Sequence, residues 1–157
     1  MKKIILLMLC AFTAMGTFAQ DKKLTVNAGF LFPSTLNAMV GYEYPLSYGN
    51  AVELYGEAGT HWQSPTCHRF WEDYYWDGGL VYKHRLVRYK NGMLRFRFGP
   101  QFGAVQHKFF MGLEGGFEYS YVFQNGCEFT LIQKNNVNFL HGDTFRNGLL
   151  IGFKIPF

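Results

Sequence analysis

The densest group of reactive side chains lies at residues 61–73, which read His-Trp-Gln-Ser-Pro-Thr-Cys-His-Arg-Phe-Trp-Glu-Asp. His61, Cys67, His68, Glu72 and Asp73 are types that bind metals, but the segment shows no recognised metal-ligand spacing. Ser64, His68 and Asp73 can be drawn as nucleophile, base and orienting acid, yet no nucleophile motif surrounds Ser64. Trp62, Phe70 and Trp71, with Cys67 and His68 between them, read instead as a partner-binding loop, as plain loop packing or as interfacial anchors. A second candidate is the pair Glu43 and Glu57. Two carboxylates forced to share a site hold one proton between them and suit acid–base work. Both ideas depend on the elements that carry these residues.

Those elements read as strands. Apolar and aromatic side chains recur at every second position over residues 24–32, 38–48, 52–60, 74–89, 93–105, 111–123, 127–135 and 145–157. In the fifth, Phe96, Phe98 and Phe102 oppose Arg95, Arg97 and Gly99; in the sixth, Phe117, Tyr119 and Tyr121 oppose Gly116, Glu118 and Ser120. The chain has 18 glycines and 19% aromatic residues, and no helical period is sustained beyond its amino terminus. Turn pairs Gly49-Asn50, Asn91-Gly92 and Asn125-Gly126 follow the second, fourth and sixth strands. The connections after the third and seventh are longer. With an even strand number both ends fall on one side, so tight turns collect there and long loops opposite, as in outer-membrane barrels.

Alternation alone does not say which face meets water. Three features do: bulky Phe and Tyr on one face, glycine and ionic side chains on the other, and strands of about the 9–11 residues that cross a bilayer. The expected fold is an all-β, eight-stranded, antiparallel, up-and-down transmembrane β-barrel, with transmembrane strands whose apolar side chains meet outer-membrane lipid. Its aromatics gather near strand ends (Tyr42, Tyr44, Tyr48; Tyr119, Tyr121, Phe123), as interfacial girdles do.

Residues 1–19 read as a secretory signal peptide: Lys2 and Lys3 precede an apolar run, and Thr17-Phe18-Ala19 offers small residues at the cleavage positions. Residues 20–157 then form a single barrel domain, localised to the outer membrane after signal-dependent export. The formal charge of +4 includes the two lysines lost with the signal, and no basic run with interleaved aromatics remains, so direct nucleic-acid binding is not expected. The chain closes on Leu149, Ile151, Phe153, Ile155 and Phe157 in alternation. Phe153, Ile155 and Phe157 resemble the terminal signal read by the barrel-assembly machinery.

If each Asn/Gly turn spans three residues, Leu46 falls opposite Leu54, Leu86 opposite Phe96 and Tyr121 opposite Phe129. Glu43 then faces Glu57, and Arg85 faces Arg97. A short loop around His107 brings Arg97 near Glu118. The lumen would hold Glu43, Glu57, Glu114 and Glu118 with Lys83, Arg85, Arg95 and Arg97. Eight strands enclose only enough space for side chains, so these are expected as ion pairs that plug the barrel, with no catalytic residue, cofactor or metal site. Cys67 and Cys127 would sit on opposite sides of the membrane, roughly 25 Å apart, beyond the about 7 Å that a disulfide allows.

The tail, Gln133-Lys134-Asn135-Asn136-Val137-Asn138-Phe139, then His141-Gly142-Asp143-Thr144-Phe145-Arg146-Asn147-Gly148 and the last strand, resembles the TraO family of conjugative-transposon proteins of Bacteroidetes. The likeness is sharpest over the last third of the chain. It implies an outer-membrane role in conjugative DNA transfer. The favoured reading is a non-enzymatic component of that transfer, contacting other conjugation proteins through residues 61–73 and 135–144. The alternatives are a small outer-membrane barrel enzyme acting on lipid or lipopolysaccharide, and a general structural or adhesive surface barrel.

Overall fold

The computed structural model describes residues 22–33, 35–61, 74–140 and 144–157. The expected signal peptide and most of the loop at 61–73 lie outside these residues. Eight strands account for nearly all of them: β1 (Lys23–Phe32), β2 (Thr35–Pro45), β3 (Ala51–His61), β4 (Tyr74–Tyr89), β5 (Gly92–Val105), β6 (Lys108–Val122), β7 (Glu128–Phe139) and β8 (Phe145–Pro156). Each pairs antiparallel with the next, and β8 pairs with β1 to close the barrel. The expected architecture is therefore the observed one. Closure leaves no open sheet edge, so every strand's backbone N–H and C=O groups face a neighbour.

Cα partners followed round the wall from Lys23 run through Glu43, Glu53, Val81, Gly99, Glu114, Asn136 and Arg146. Arg146 lies one position past the Asn147–Phe32 pair, so the circuit returns about ten residues further along β1, the stagger that strand tilt in a closed barrel requires. All eight residues on that circuit face inward. The wall bends sharply enough that some inward positions admit no side chain. A Cβ at Gly99 would strike the Leu80 carbonyl oxygen, and one at Gly116 the Gln133 carbonyl oxygen.

The faces fall as the alternation predicts, but the registers do not all follow. Tyr121 does face Phe129. Glu43 faces Glu53, not Glu57, and Leu54 faces Tyr42, not Leu46. The reason is the β2–β3 connection, a five-residue loop whose short 3-10 turn at Ser47–Gly49 is centred on Tyr48 rather than on Asn50. Tyr48 itself takes the left-handed conformation, φ 63°. Shifting the turn centre by two residues moves the pairing by four and keeps every side chain on its face.

Arg97 faces Lys83, and Arg85 faces Arg95; a bulge at Leu86, between Arg85 and Val87, takes up the difference. Loop sorting is also less complete than the sequence indicates. On the end away from Lys22 and Phe157, β1–β2 and β5–β6 are joined by two residues each, and β7 continues to Phe139. Residues 135–139 are thus strand rather than loop. The 62–73 segment remains the one long connection on that side.

Candidate functional site

Strand parity sends ionic side chains into the lumen from β2 through β8. Lys83 donates a hydrogen bond to Glu43 at 2.6 Å and pairs with Glu118 at 2.6 Å and Glu53 at 3.0 Å. Arg95 reaches Glu43 at 2.9 Å and Glu118 at 3.4 Å. Arg97 bridges Glu114 at 2.7 Å, Glu53 at 3.2 Å and Glu118 at 3.2 Å. Lys154 meets Glu43 at 2.6 Å and Glu118 at 2.5 Å, while Lys134 joins Glu57 at 2.5 Å to Glu114 at 3.2 Å. Near the chain ends Lys23 pairs with Glu128 at 2.7 Å.

The carboxylates of Glu43, Glu53, Glu57, Glu114, Glu118 and Glu128 are thus met by the cations of Lys23, Lys83, Arg95, Arg97, Lys134 and Lys154 in equal number. The balance matters because a single buried ion without a partner costs several kcal/mol, whereas a fully matched set offsets that cost through close opposite charges. Neutral partners extend the network. Thr25 donates to Glu53 at 2.7 Å, Thr130 to Asn27 at 2.6 Å, and Gln101 to Asn138 at 2.6 Å.

The expected lumen residues therefore meet there with one exception. Glu43, Glu57, Glu114, Glu118 and Arg97 are in ion pairs. Arg85 lies toward the mouth, half-buried, its backbone N–H donating to the Asn50 side chain at 3.0 Å. Glu43 and Glu57 do not form a carboxylate pair, because the shifted register separates them along the lumen. Glu57 has Asp77 as its Cα partner on β4. Tyr75 donates to Glu57 at 2.6 Å, and the Arg146 guanidinium lies 4.6 Å over the Tyr75 ring. Asp77 is 3% exposed, and among the described residues neither of its carboxylate oxygens has a hydrogen-bond partner.

Glu53, Asp77, Lys134 and Lys154 are part of this interior but were not among the expected ion pairs. Their parity was readable: Lys154 alternates with Phe153 and Ile155, and Lys134 with Gln133 and Asn135.

Comparison with family models, with curated proteins and with solved structures finds no match to this chain.

The remaining expected sites separate clearly. Trp62, Cys67, His68, Phe70 and Trp71 lie outside the described residues. Phe153, Ile155 and Phe157 are exposed on the outside of the barrel. Phe153 packs edge-on against Phe129 at 5.9 Å between ring centroids, and Phe157 lies 5.8 Å from Tyr42. The Phe157 N–H donates to the Lys22 carbonyl at 3.2 Å, tying the tail across the β8–β1 seam. Cys127 forms no disulfide among the described residues. Among the described residues no three His, Cys, Asp or Glu are grouped to hold a metal. An opening of about 530 Å³ at this end is rimmed by Lys23, Arg88, Lys90 and Glu128 and floored by Arg95.

Proposed function

We propose that this chain is an outer-membrane β-barrel without enzymatic activity that serves conjugative DNA transfer. One observation carries the membrane half of the reading: the wall is reversed relative to a water-soluble barrel. Phe30, Val40, Leu54, Leu80, Phe98, Phe117, Leu149 and Ile151 all point outward with 46–57% of their surface exposed, whereas Lys83, Arg97, Glu118 and Lys134 are buried inside. In water that arrangement leaves a continuous apolar belt unburied; in lipid the belt is the favourable surface. Strands of 10 to 16 residues are long enough to cross.

The transfer role is supported by the resemblance of residues 133–157 to the TraO family. A non-enzymatic role is supported by the held state of the glutamates, each engaged by lysine or arginine. The ion network occupies the lumen as a plug, which favours a scaffold over a conduit. Its external contacts would be made by the 62–73 segment and by neighbours in the transfer apparatus. The test is deletion of the chain in its own host, followed by complementation. Transfer frequency should fall sharply and recover with the intact chain. Unchanged transfer would remove the conjugation role while leaving the barrel intact.

A further inference from the structure

The belt is broken in one place. Between its aromatic rims, the outer face carries side-chain amides at Gln133, Asn135 and Asn147, all on β7 and β8. Asn135 and Asn147 are direct Cα partners, and Gly115 is the partner of Asn135 on the other side. The row Gly115–Asn135–Asn147 is flanked by Leu113, Val137, Phe117, Leu131 and Leu149, so it lies within the apolar surface. Apart from tyrosines, the other polar outward positions stand at the rims. Thr60 is next to last in β3, and His84 stacks on Tyr82 at 6.4 Å in the aromatic ring near the chain ends.

We propose that this amide patch is the contact between two copies of the chain inside the membrane. Gln133 Nε2 donates to Asn135 Oδ1 at 2.9 Å. That bond uses one of the two Gln133 N–H groups and leaves the Asn135 amide hydrogens and the Gln133 oxygen to be met from beyond the pair. Hydrocarbon offers no hydrogen bonds, so amides facing it are driven toward a protein partner.

The chemistry selects a second copy. Barrels inserted in one direction, related by a two-fold axis along the membrane normal, bring each residue to the height of its own equivalent. A lysine or glutamate would then meet its own charge. A carboxamide carries donor and acceptor together, so Asn135 and Gln133 can each bond their counterparts. Gly115 adds close approach: its own chain neighbours apart, no atom of the described residues lies within 4 Å of where its Cβ would stand, leaving a recess beside the amides.

The inference rests on the membrane reading, and one experiment separates the two. The full mature chain in density-matched neutral detergent micelles is followed by sedimentation equilibrium across protein-to-detergent ratios, with heat-modifiable gel migration reporting the folded barrel. The wild type should dimerise reversibly. The variant Gln133→Leu/Asn135→Leu/Asn147→Leu should weaken association by roughly tenfold or more while keeping heat-modifiable migration. Gly115→Phe, with all amides kept, should weaken it as well by blocking approach. A heat-modifiable wild type that stays monomeric throughout, or joins only a different protein, overturns the dimer alone. Undiminished association of both variants overturns it too. A chain that is monomeric and soluble without detergent removes the membrane reading beneath it.

Discussion

Within β6, Glu118 turns inward to Lys83, Arg95, Arg97 and Lys154, while its neighbours Phe117 and Tyr119 turn outward and stay exposed. One strand thus presents a charge to four counter-charges on one side and an unpartnered apolar surface on the other. The inner face is a specific, interlocked set in which each ion depends on several strands. The outer face is generic: many residues could supply the same apolar belt, and its few aromatic contacts, such as Phe96 with Phe117 at 5.6 Å, are shallow. The difference locates register specificity in the lumen and environment specificity outside. Substitutions on the two faces should therefore fail for different reasons.

The largest effect should come from Glu118→Gln, which keeps the shape but removes a charge shared by four cations. We expect a loss of about 3–5 kcal/mol, read by urea unfolding of the barrel in lipid vesicles. A loss below about 1 kcal/mol would make the network ornamental to stability. Next, Leu149→Arg in the middle of the outer belt should cost about 2–4 kcal/mol in vesicles, whereas Tyr44→Arg at the rim should cost about 0–1. Equal costs at the two heights would break the contrast, since only a membrane distinguishes them.

Which parts of this contrast were legible in the sequence follows from period and turn geometry. The two faces were, because side chains alternate strictly and Phe96, Arg97, Phe98 or Phe117, Glu118, Tyr119 display the alternation without ambiguity. Of the ion partners, Arg97 with Glu118 across the short β5–β6 loop was legible; most others were not, because a pair depends on turn centre, and Tyr48 adopting φ 63° moves β2 against β3 by four residues without disturbing parity. The Leu86 bulge hid the Lys83–Arg97 alignment in the same way. Lys134 and Lys154 were visible as inward positions, yet their partners, Glu57 on β3 and Glu43 on β2, lie across the lumen, which no linear pattern encodes.

A finer division inside the lumen comes from Glu57→Gln. Lys134 keeps Glu114 when Glu57 loses its charge, so the expected loss is about 1.5–3 kcal/mol, the range of a hydrogen bond to a charged group. If Glu57→Gln melts like the parent yet abolishes transfer, Glu57 and its neighbour Asp77 become a functional site rather than part of the scaffold. The smallest effect on stability belongs to Phe157. It lies beyond the last strand, half-exposed, with its ring near Tyr42, so its deletion should cost less than about 1 kcal/mol in refolded barrels. In cells the same deletion should leave protease-sensitive material in the periplasm, as loss of an assembly signal would. Normal membrane levels would reduce it to one more outward aromatic.

The reversal of the two faces can be tested on the unaltered chain. Expressed with its signal in a Gram-negative host, the protein should fractionate with the sarkosyl-insoluble outer membrane. Its unboiled form should migrate differently on a gel from the boiled one. Recovery of the mature chain as a soluble periplasmic monomer, stable without detergent, would contradict the account at its centre.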